Sequence, residues 1–482
     1  MSDDPHILST VILTAHWLIV IGLSLRVIAR RLPVGISLAW LAVIFAVPFA
    51  GAAAYLVFGG KRLSAERVMR HVAAQRAVGS VLATLREEPN SASPAAGSTG
   101  ETLYWQTLGV MGVPALDGNR AILLHDYGSV FDALVEDIDE ATDTCQLAFY
   151  IWHEGGRADD VAAALERARL RDVRCRVLVD AVGSKEFLEG TRVRALRAAG
   201  VEVVGVLPPS FRSRADLRYH RKIVVVDEHV GYAGSQNLVD PRFFKQKSGV
   251  GRWVDAMARL EGPAVALLAT IFETDWSVET GSAFEPATSW PPAADAGSPD
   301  RALVQVVPSG PMPYPDAIRK LVLTAIYSAR QTLTLTTPYF VPDDAVLTAL
   351  CSAAQGGVTV TLIVPARNDS RLVRYAGVAS FEDLMATGVR IALFQEGLLH
   401  TKSMVVDGTV SLFGSVNLDM RSFWLNFENS LFVYGSEFAS RISDLQQEYL
   451  THCVFVDPDD WRGRPAHHRF AEDAARLVGP LL

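Results

Sequence analysis

Two stretches of this 482-residue chain decide its reading: HRKIVVVDEHVGYAGSQN, residues 220–237, and HTKSMVVDGTVSLFGSVN, residues 400–417. In each, His-x-Lys is followed after four residues by Asp, and after six more by Gly-Ser-x-Asn. Six fixed residues therefore recur at identical spacing 180 positions apart (400 − 220). A lone His-x-Lys is usually a solvated strand edge. Two full copies with the same apolar filler mark a duplicated unit.

The spacing has a chemical logic. His220 and Lys222, like His400 and Lys402, lie two apart, so on a strand each pair points to one face. The chain then turns and returns through an apolar segment to Ser235 and Asn237, or to Ser415 and Asn417, which can serve the same face. Lysine offers positive charge, while serine and asparagine offer neutral hydrogen bonds. Such a set suits phosphoryl oxygens whose charge must be stabilised as a bond to phosphorus breaks. Histidine can attack phosphorus or move a proton near neutral pH. One copy makes half a site. Two copies brought together by pseudo-twofold packing would place a histidine on each side of a phosphodiester, one as nucleophile and the other as general acid, then base.

Asp227 and Asp407 complete the motif and so join the candidate catalytic set, although their place before the turn favours a structural role beside their own lysine or the turn. A histidine nucleophile needs its second ring nitrogen held, preferably by a carboxylate. Asp255 lies eighteen residues beyond Asn237 and is assigned to His220; Glu428 lies eleven beyond Asn417 and is assigned to His400. No H-x-x-x-H or H-E-x-x-H occurs, and the pair His467-His468 sits in a polar tail where solvation is expected. The paired lysines would repel a cation, so the expectation is metal-independent catalysis without a cofactor. Cys145, Cys175, Cys351 and Cys453 show no C-x-x-C spacing and are expected to be free thiols.

Around the motifs, two bodies at 102–280 and 301–482 repeat one order of elements. A helical stretch (130–141; 314–329) precedes an apolar strand (146–152; 332–339). A helix opening at Asp159 or Asp343 and a β-branched strand (174–180; 358–364) follow. Alternation of this kind indicates a mostly parallel sheet with helices on both faces. Residues 281–300, rich in Pro, Ala and Ser, form a linker; 61–101 hold a surface helix over 64–88 and a small-residue linker. Residues 1–60 carry two uncharged runs, 7–25 and 34–58, each long enough to cross a hydrocarbon core of roughly 30 Å. They read as a transmembrane hairpin. Arg26, Arg30 and Arg31 lie in its turn, against Lys61, Arg62, Arg67, Arg70 and Arg76 beyond it, so the positive-inside rule leans towards a cytoplasmic catalytic body.

The balance of 45 Lys+Arg against 53 Asp+Glu, net −8, argues against a nucleic-acid partner, and 49% hydrophobic content excludes wholesale disorder. Arg212, Arg214, Arg218 and Arg221 nevertheless crowd the first motif, and Phe243-Phe244 and Phe423-Trp424 follow the two motifs as possible apolar walls.

The motif pair resembles that of the phospholipase D superfamily, and within it the chain is similar to the bacterial cardiolipin synthases. FYIWHE (149–154), VLVDAVGSKEF (177–187), DPRFF (240–244), TPYFVPDDAVLTAL (337–350), NLDMRSFWLNFE (417–428) and DPDDWRGRP (457–465) extend the likeness over nearly the whole length. One departure is Trp253-Val254-Asp255, where such synthases commonly carry Trp-Arg-Asp. The resemblance implies an α/β fold of two phospholipase D-like halves, each a mixed sheet flanked by helices, related by a pseudo-twofold and preceded by the hairpin. It implies a phosphatidyl transfer between two phosphatidylglycerol molecules, giving cardiolipin and glycerol, in the bacterial inner membrane. His220 would carry the phosphohistidine and His400 would protonate the departing glycerol. Lys222, Lys402, Asn237 and Asn417 would hold the phosphate, supported by Ser235 and Ser415. The alternatives are a phospholipase D-type hydrolase or a transferase using another donor such as phosphatidylethanolamine. Oligomeric state is not legible.

Overall fold

The computed structural model describes residues 5–30, 34–47, 49–59, 63–209, 216–287, 291–294 and 297–477. Arg31, Pro48, Lys61, Arg62, Arg212 and Arg214 lie outside them. The chain divides into a unit of Met1–Val68 with Pro209–Leu217, and a unit of Met69–Pro208 with Arg218–Leu482.

In the first unit, α1 (Pro5–Ala29) is one helix, apolar over Ser9–Ala29 with a mean hydropathy of 2.1. At 1.5 Å per residue its 25 residues reach about 37 Å, enough to cross a bilayer. The second apolar run, expected as a single span over 34–58, is instead broken into α2 (Val34–Ala46) and α3 (Ala50–Phe58). The sequence supplies the cause: position 48 is proline, a residue with no N–H to continue the ladder and a ring that a regular helix cannot accommodate in its interior. Phe49, just after it, has φ +59°. Val20, Val27, Trp40, Ile44 and Tyr55 pack the three helices together. Helix α4 (Ala65–Glu87) follows, all but its first four residues belonging to the second unit.

The second unit carries the repeat. Its first half has β1 (Ala115–Leu124), α5 (Tyr127–Glu140), β2 (Thr144–Phe149), α6 (Arg157–Leu170), β3 (Arg174–Asp180), β4 (Glu202–Val206), β5 (Ile223–Val226), β6 (Val230–Gly234), β7 (Trp253–Val254), β8 (Met257–Glu261) and α7 (Val265–Thr280). The second half answers with β9 (Arg301–Ser309), α8 (Ala317–Ser328), β10 (Thr332–Thr336), α9 (Asp344–Gln355), β11 (Thr359–Pro365), α10 (Arg371–Val378), β12 (Arg390–Phe394), β13 (Leu398–Leu399), β14 (Ser403–Val406), β15 (Val410–Gly414) and β16 (Glu428–Tyr434), with β17 (Cys453–Phe455) at the edge.

Strand order is β1-β8-β6-β5-β2-β3-β4 in one half and β9-β16-β15-β14-β10-β11-β12 in the other, the same order twice. The sheet is less parallel than the alternation of elements predicts. Within this sheet, among the described residues, only β2/β3/β4 and β10/β11/β12 run parallel, because tight turns return the motif hairpins β5–β6 and β14–β15 antiparallel. The expected two sheets are also one. Strands β1 and β9 pair antiparallel, with Arg301 opposite Arg120 and Ala302 opposite Asn119, and this seam closes an edge that each half would otherwise expose. Buried Asn119 satisfies the irregular step there, donating to Leu116 O (2.6 Å) and accepting from Ala264 N–H (2.7 Å).

Helix α7 is buried continuously from Val265 to Ser277, as an apolar helix against a sheet must be. Its Glu273 is paired with Arg176 and its Asp275 with Arg221. The four cysteines are free, with Cys145 and Cys175 opposite each other across β2 and β3.

Candidate active site

Each motif folds as a β-hairpin with His-x-Lys leading in and Gly-Ser-x-Asn leading out. The turns between them use left-handed backbone at Asp227 and Glu228 (φ +50° and +57°) and at Asp407 and Gly408 (φ +50° and +62°). Two consecutive residues of positive φ make the primed turn that matches strand twist. Asp227 and Asp407 stand here, at the far end of the hairpin from the histidines. Asp227 accepts from the N–H groups of Thr142, Asp143 and Thr144 (2.7–2.9 Å), and Asp407 from those of Arg330, Gln331 and Thr332 (2.8–3.2 Å). Burial disfavours the charge on Asp227, but these donors outweigh it and hold the carboxyl below its ordinary range. Both aspartates therefore leave the candidate catalytic set, and their partner is the start of β2 or β10 rather than their own lysine. Asp227→Ala should cost about 2–3 kcal/mol in a denaturant melt. Turnover per folded molecule should stay within a few-fold; a thousandfold fall in folded protein would return Asp227 to the chemistry.

At the other end the two hairpins meet. His220 and His400 both line one cavity of about 350 Å³, with Asn237 and Asn417. Their orienting carboxylates are exchanged relative to the assignment from spacing. His220 Nδ1–H donates to Glu428 Oε2 (2.7 Å), and His400 Nδ1–H donates to Asp255 Oδ1 (2.6 Å). Backbone pairing across the pseudo-twofold causes the exchange. His220 N–H donates to Phe427 O (2.8 Å) and Phe427 N–H to Arg218 O (2.9 Å); β13 pairs parallel with β7, and His400 N–H donates to Val254 O (2.7 Å). Each histidine is thus laid beside the strand that carries the other half's carboxylate.

The serines also move role. Ser235 Oγ–H donates to Asp255 (2.6 Å) and Ser415 Oγ–H to Glu428 (2.5 Å), so both brace the orienting carboxylates instead of facing a phosphate. Glu428 further accepts from Ser422 Oγ (2.8 Å) and Asn426 Nδ2 (3.1 Å), whereas Asp255 Oδ2 is buried without a partner. Asn237 accepts Ile151 N–H through Oδ1 (3.1 Å), which leaves its Nδ2 a buried donor with no protein partner at the cavity. Asn417 likewise has an unpartnered amide oxygen, and reversing the amide presents the same donor.

Burial drives both histidines down to about 4, against the pull of Glu428 on one and Asp255 on the other. Glu428 and Asp255 keep their charge: burial opposes it, but the histidines, lysines and serines outweigh burial and lower both carboxyls. Near neutral pH each dyad is therefore a neutral imidazole on an ionised carboxylate, its Nε2 lone pair available for attack. Lys222 Nζ donates to His220 O (2.6 Å) and Lys402 Nζ to His400 O (2.5 Å). Burial lowers Lys222 well below its usual value and Lys402 to about 8. A phosphate anion beside the lysines would favour their charged form, and would favour the protonated form of a histidine beside it.

Several cavity residues were not singled out from sequence. Asp419 is pushed up to about 6 by burial, partly offset by the Ser422 N–H that it caps. Tyr339 donates to Asp369 (2.9 Å), Trp253 packs 4.4 Å from the His400 ring and Tyr150 5.0 Å from that of His220. Tyr150, Tyr339 and Asp419 lie in segments carrying the family likeness and Trp253 beside the one departure from it, but no spacing rule connects them to the motifs. Arg218 lines the cavity, whereas Arg221 turns behind it to Asp275. Phe244 and Phe423 are buried, and Phe243 is exposed. Among the described residues no three His, Cys, Asp or Glu side chains converge as a metal site.

Two half-sites that exchange carboxylates across one cleft define a phospholipase D-like phosphoryl-transfer enzyme. The profile of the family described as "Cardiolipin synthase, PLD-like domain" matches residues 134–276 and 322–449. Proteins named cardiolipin synthase A from Yersinia pseudotuberculosis (serotype O:1b) and Yersinia pestis (biovar Antiqua) are 40% identical over 489 residues, covering 100% of this chain and of each relative. The crystal structure of phosphatidylserine synthase from Haemophilus influenzae Rd KW20 superposes with a TM-score of 0.58 at 14% identity, over 79% of this chain and 100% of that one, a likeness of fold. The chain belongs to the cardiolipin synthase family of the phospholipase D superfamily, and its chemistry is cardiolipin synthesis of that type.

Proposed function

We propose that the enzyme transfers a phosphatidyl group from one phosphatidylglycerol to the hydroxyl of another, releasing glycerol and forming cardiolipin. The observation that carries this reading is the pair of buried histidines, each held on a carboxylate of the opposite half and both opening into one cavity. His220 Nε2 attacks phosphorus while His400 gives a proton to the departing glycerol oxygen, so one P–O bond breaks as a P–N bond forms. His400 then takes the proton from the second lipid's hydroxyl, whose oxygen displaces His220. The order of the two histidines follows the family resemblance. Lys222, Lys402, Asn237 and Asn417 hold the non-bridging oxygens, with the unpartnered Asn237 amide as a ready donor. Ser235 and Ser415 act through the carboxylates. Burial of both histidines limits access of water as a competing acceptor.

The apolar N-terminal helices anchor the enzyme in the bilayer, and the excess of basic residues in the flank beyond them over those in the turn supports a catalytic body on the cytoplasmic face. Detergent-solubilised protein given labelled phosphatidylglycerol in EDTA is expected to yield cardiolipin and free glycerol in equal amounts. Phosphatidic acid as the sole lipid product would replace transfer with hydrolysis.

A further inference from the structure

The catalytic cavity is bordered by two segments far apart in sequence. The loop 240–252 contains four basic residues and one acid, and the stretch 366–378, which includes α10, contains three basic residues and one acid. The border thus carries +5 in a chain whose total is −8. Both acids are engaged: Asp240 holds Arg242 (2.7 Å), and Asp369 accepts from Lys245 (3.1 Å), the ion pair that ties one segment to the other. Lys245 from the loop and Ser370 and Val373 from the second segment line the cavity itself, so this border adjoins it directly.

Apolar side chains stand among these charges. Phe243 is 62% exposed, Leu372 45% and Tyr375 38%. Helix α10 buries Ala376 and Gly377, and exposes Arg371, Leu372, Arg374 and Tyr375. Arg242 lies over the Phe243 ring at 5.3 Å, an arrangement in which an aromatic body and a cationic head sit at one level. Large apolar groups interspersed with basic ones suit a boundary between hydrocarbon and anionic headgroups.

We propose that this border is a membrane-docking surface that seats the cavity mouth on an anionic bilayer, with Phe243, Leu372 and Tyr375 entering the interface and Lys247, Arg367, Arg371 and Arg374 meeting lipid phosphates. The inference rests on the reading of the cavity as a phospholipid site, since docking of this kind lets substrate enter without crossing water. It assigns to the second unit a bilayer contact of its own.

The test is amide hydrogen exchange on the full chain reconstituted into phosphatidylcholine vesicles with or without phosphatidic acid. Phosphatidic acid is anionic and has no headgroup alcohol to release, so the readout is independent of turnover. Exchange in 242–252 and 366–378 is expected to slow several-fold when phosphatidic acid is present and to recover in high salt. Combined Arg367→Ser, Arg371→Ser and Arg374→Ser should weaken docking about 100-fold, at roughly five-fold per basic residue near an anionic surface, and abolish the protection. The same variant should keep its turnover on dispersed short-chain phosphatidylglycerol and lose it on vesicles. Equal exchange in the two vesicle types overturns docking while leaving transfer chemistry intact. Protection by a soluble polyanion, with none from vesicles, overturns the lipid assignment. Protected segments in a protein that makes no cardiolipin would uphold docking and refute the transfer reading.

Discussion

His220→Ala and His400→Ala should each reduce cardiolipin formation by about 10³-fold or more, and should fail at different steps. In the proposed mechanism His220→Ala lacks the nucleophile, so protein incubated with phosphate-labelled phosphatidylglycerol should carry no acid-labile label. In the same mechanism His400→Ala leaves the glycerol without a proton donor and the second lipid's hydroxyl without a base. Slow labelling followed by a persistent adduct is then expected. Rapid quench followed by mild alkaline electrophoresis distinguishes the two outcomes. Label trapped in His220→Ala and absent from His400→Ala would reverse the roles, because both rings sit in equivalent dyads. Full activity in either variant would refute the paired mechanism.

The second large effect concerns the exchanged carboxylates. Asp255→Asn should reproduce the loss of His400, and Glu428→Gln the loss of His220, with turnover down by on the order of 10²–10⁴-fold in each. A neutral amide neither fixes the donating tautomer as firmly nor stabilises the imidazolium that forms during proton transfer. The two variants should differ in stability. Asp255 Oδ2 has no partner, so an asparagine amide can turn its NH₂ there without facing another donor. Glu428 accepts from His220, Ser415, Ser422 and Asn426, and glutamine must set its NH₂ against at least one of these groups. A cost of about 2–3 kcal/mol is expected in a melt of Glu428→Gln, and little in Asp255→Asn. Trapped label in Asp255→Asn, matching His400→Ala, is the sharpest reading of the exchange; its appearance in Glu428→Gln instead would restore pairing within each half.

How much of this was legible depended on whether the information was local. The duplicated motif supplied both hairpins, the shared face of His and Lys and the joint site, because strand period and turn chemistry act over a few residues. Strand β3 spans the residues expected, Arg174–Asp180, since a β-branched run between polar ends leaves little choice. The partners of His220 and His400 were not legible. Asp255 follows the first motif and Glu428 the second, and only the backbone pairing of Phe427 with Arg218, and of Leu398 with Arg252, sends each carboxylate across. The roles of Ser235 and Ser415 changed for the same reason, since a hydroxyl between a carboxylate and a cavity serves whichever the fold brings nearer. The broken second apolar helix was within reach: Pro48 stands in the run, and its effect on a helix ladder is local.

The seam between β1 and β9 bears on what duplication provides. Two copies of a gene segment commonly give a protein a spare, free to drift while its twin works. Here each copy holds the proton partner of the other's histidine, and both contribute an edge to one sheet. A lesion in either half disarms both, so this repeat confers obligation in place of redundancy.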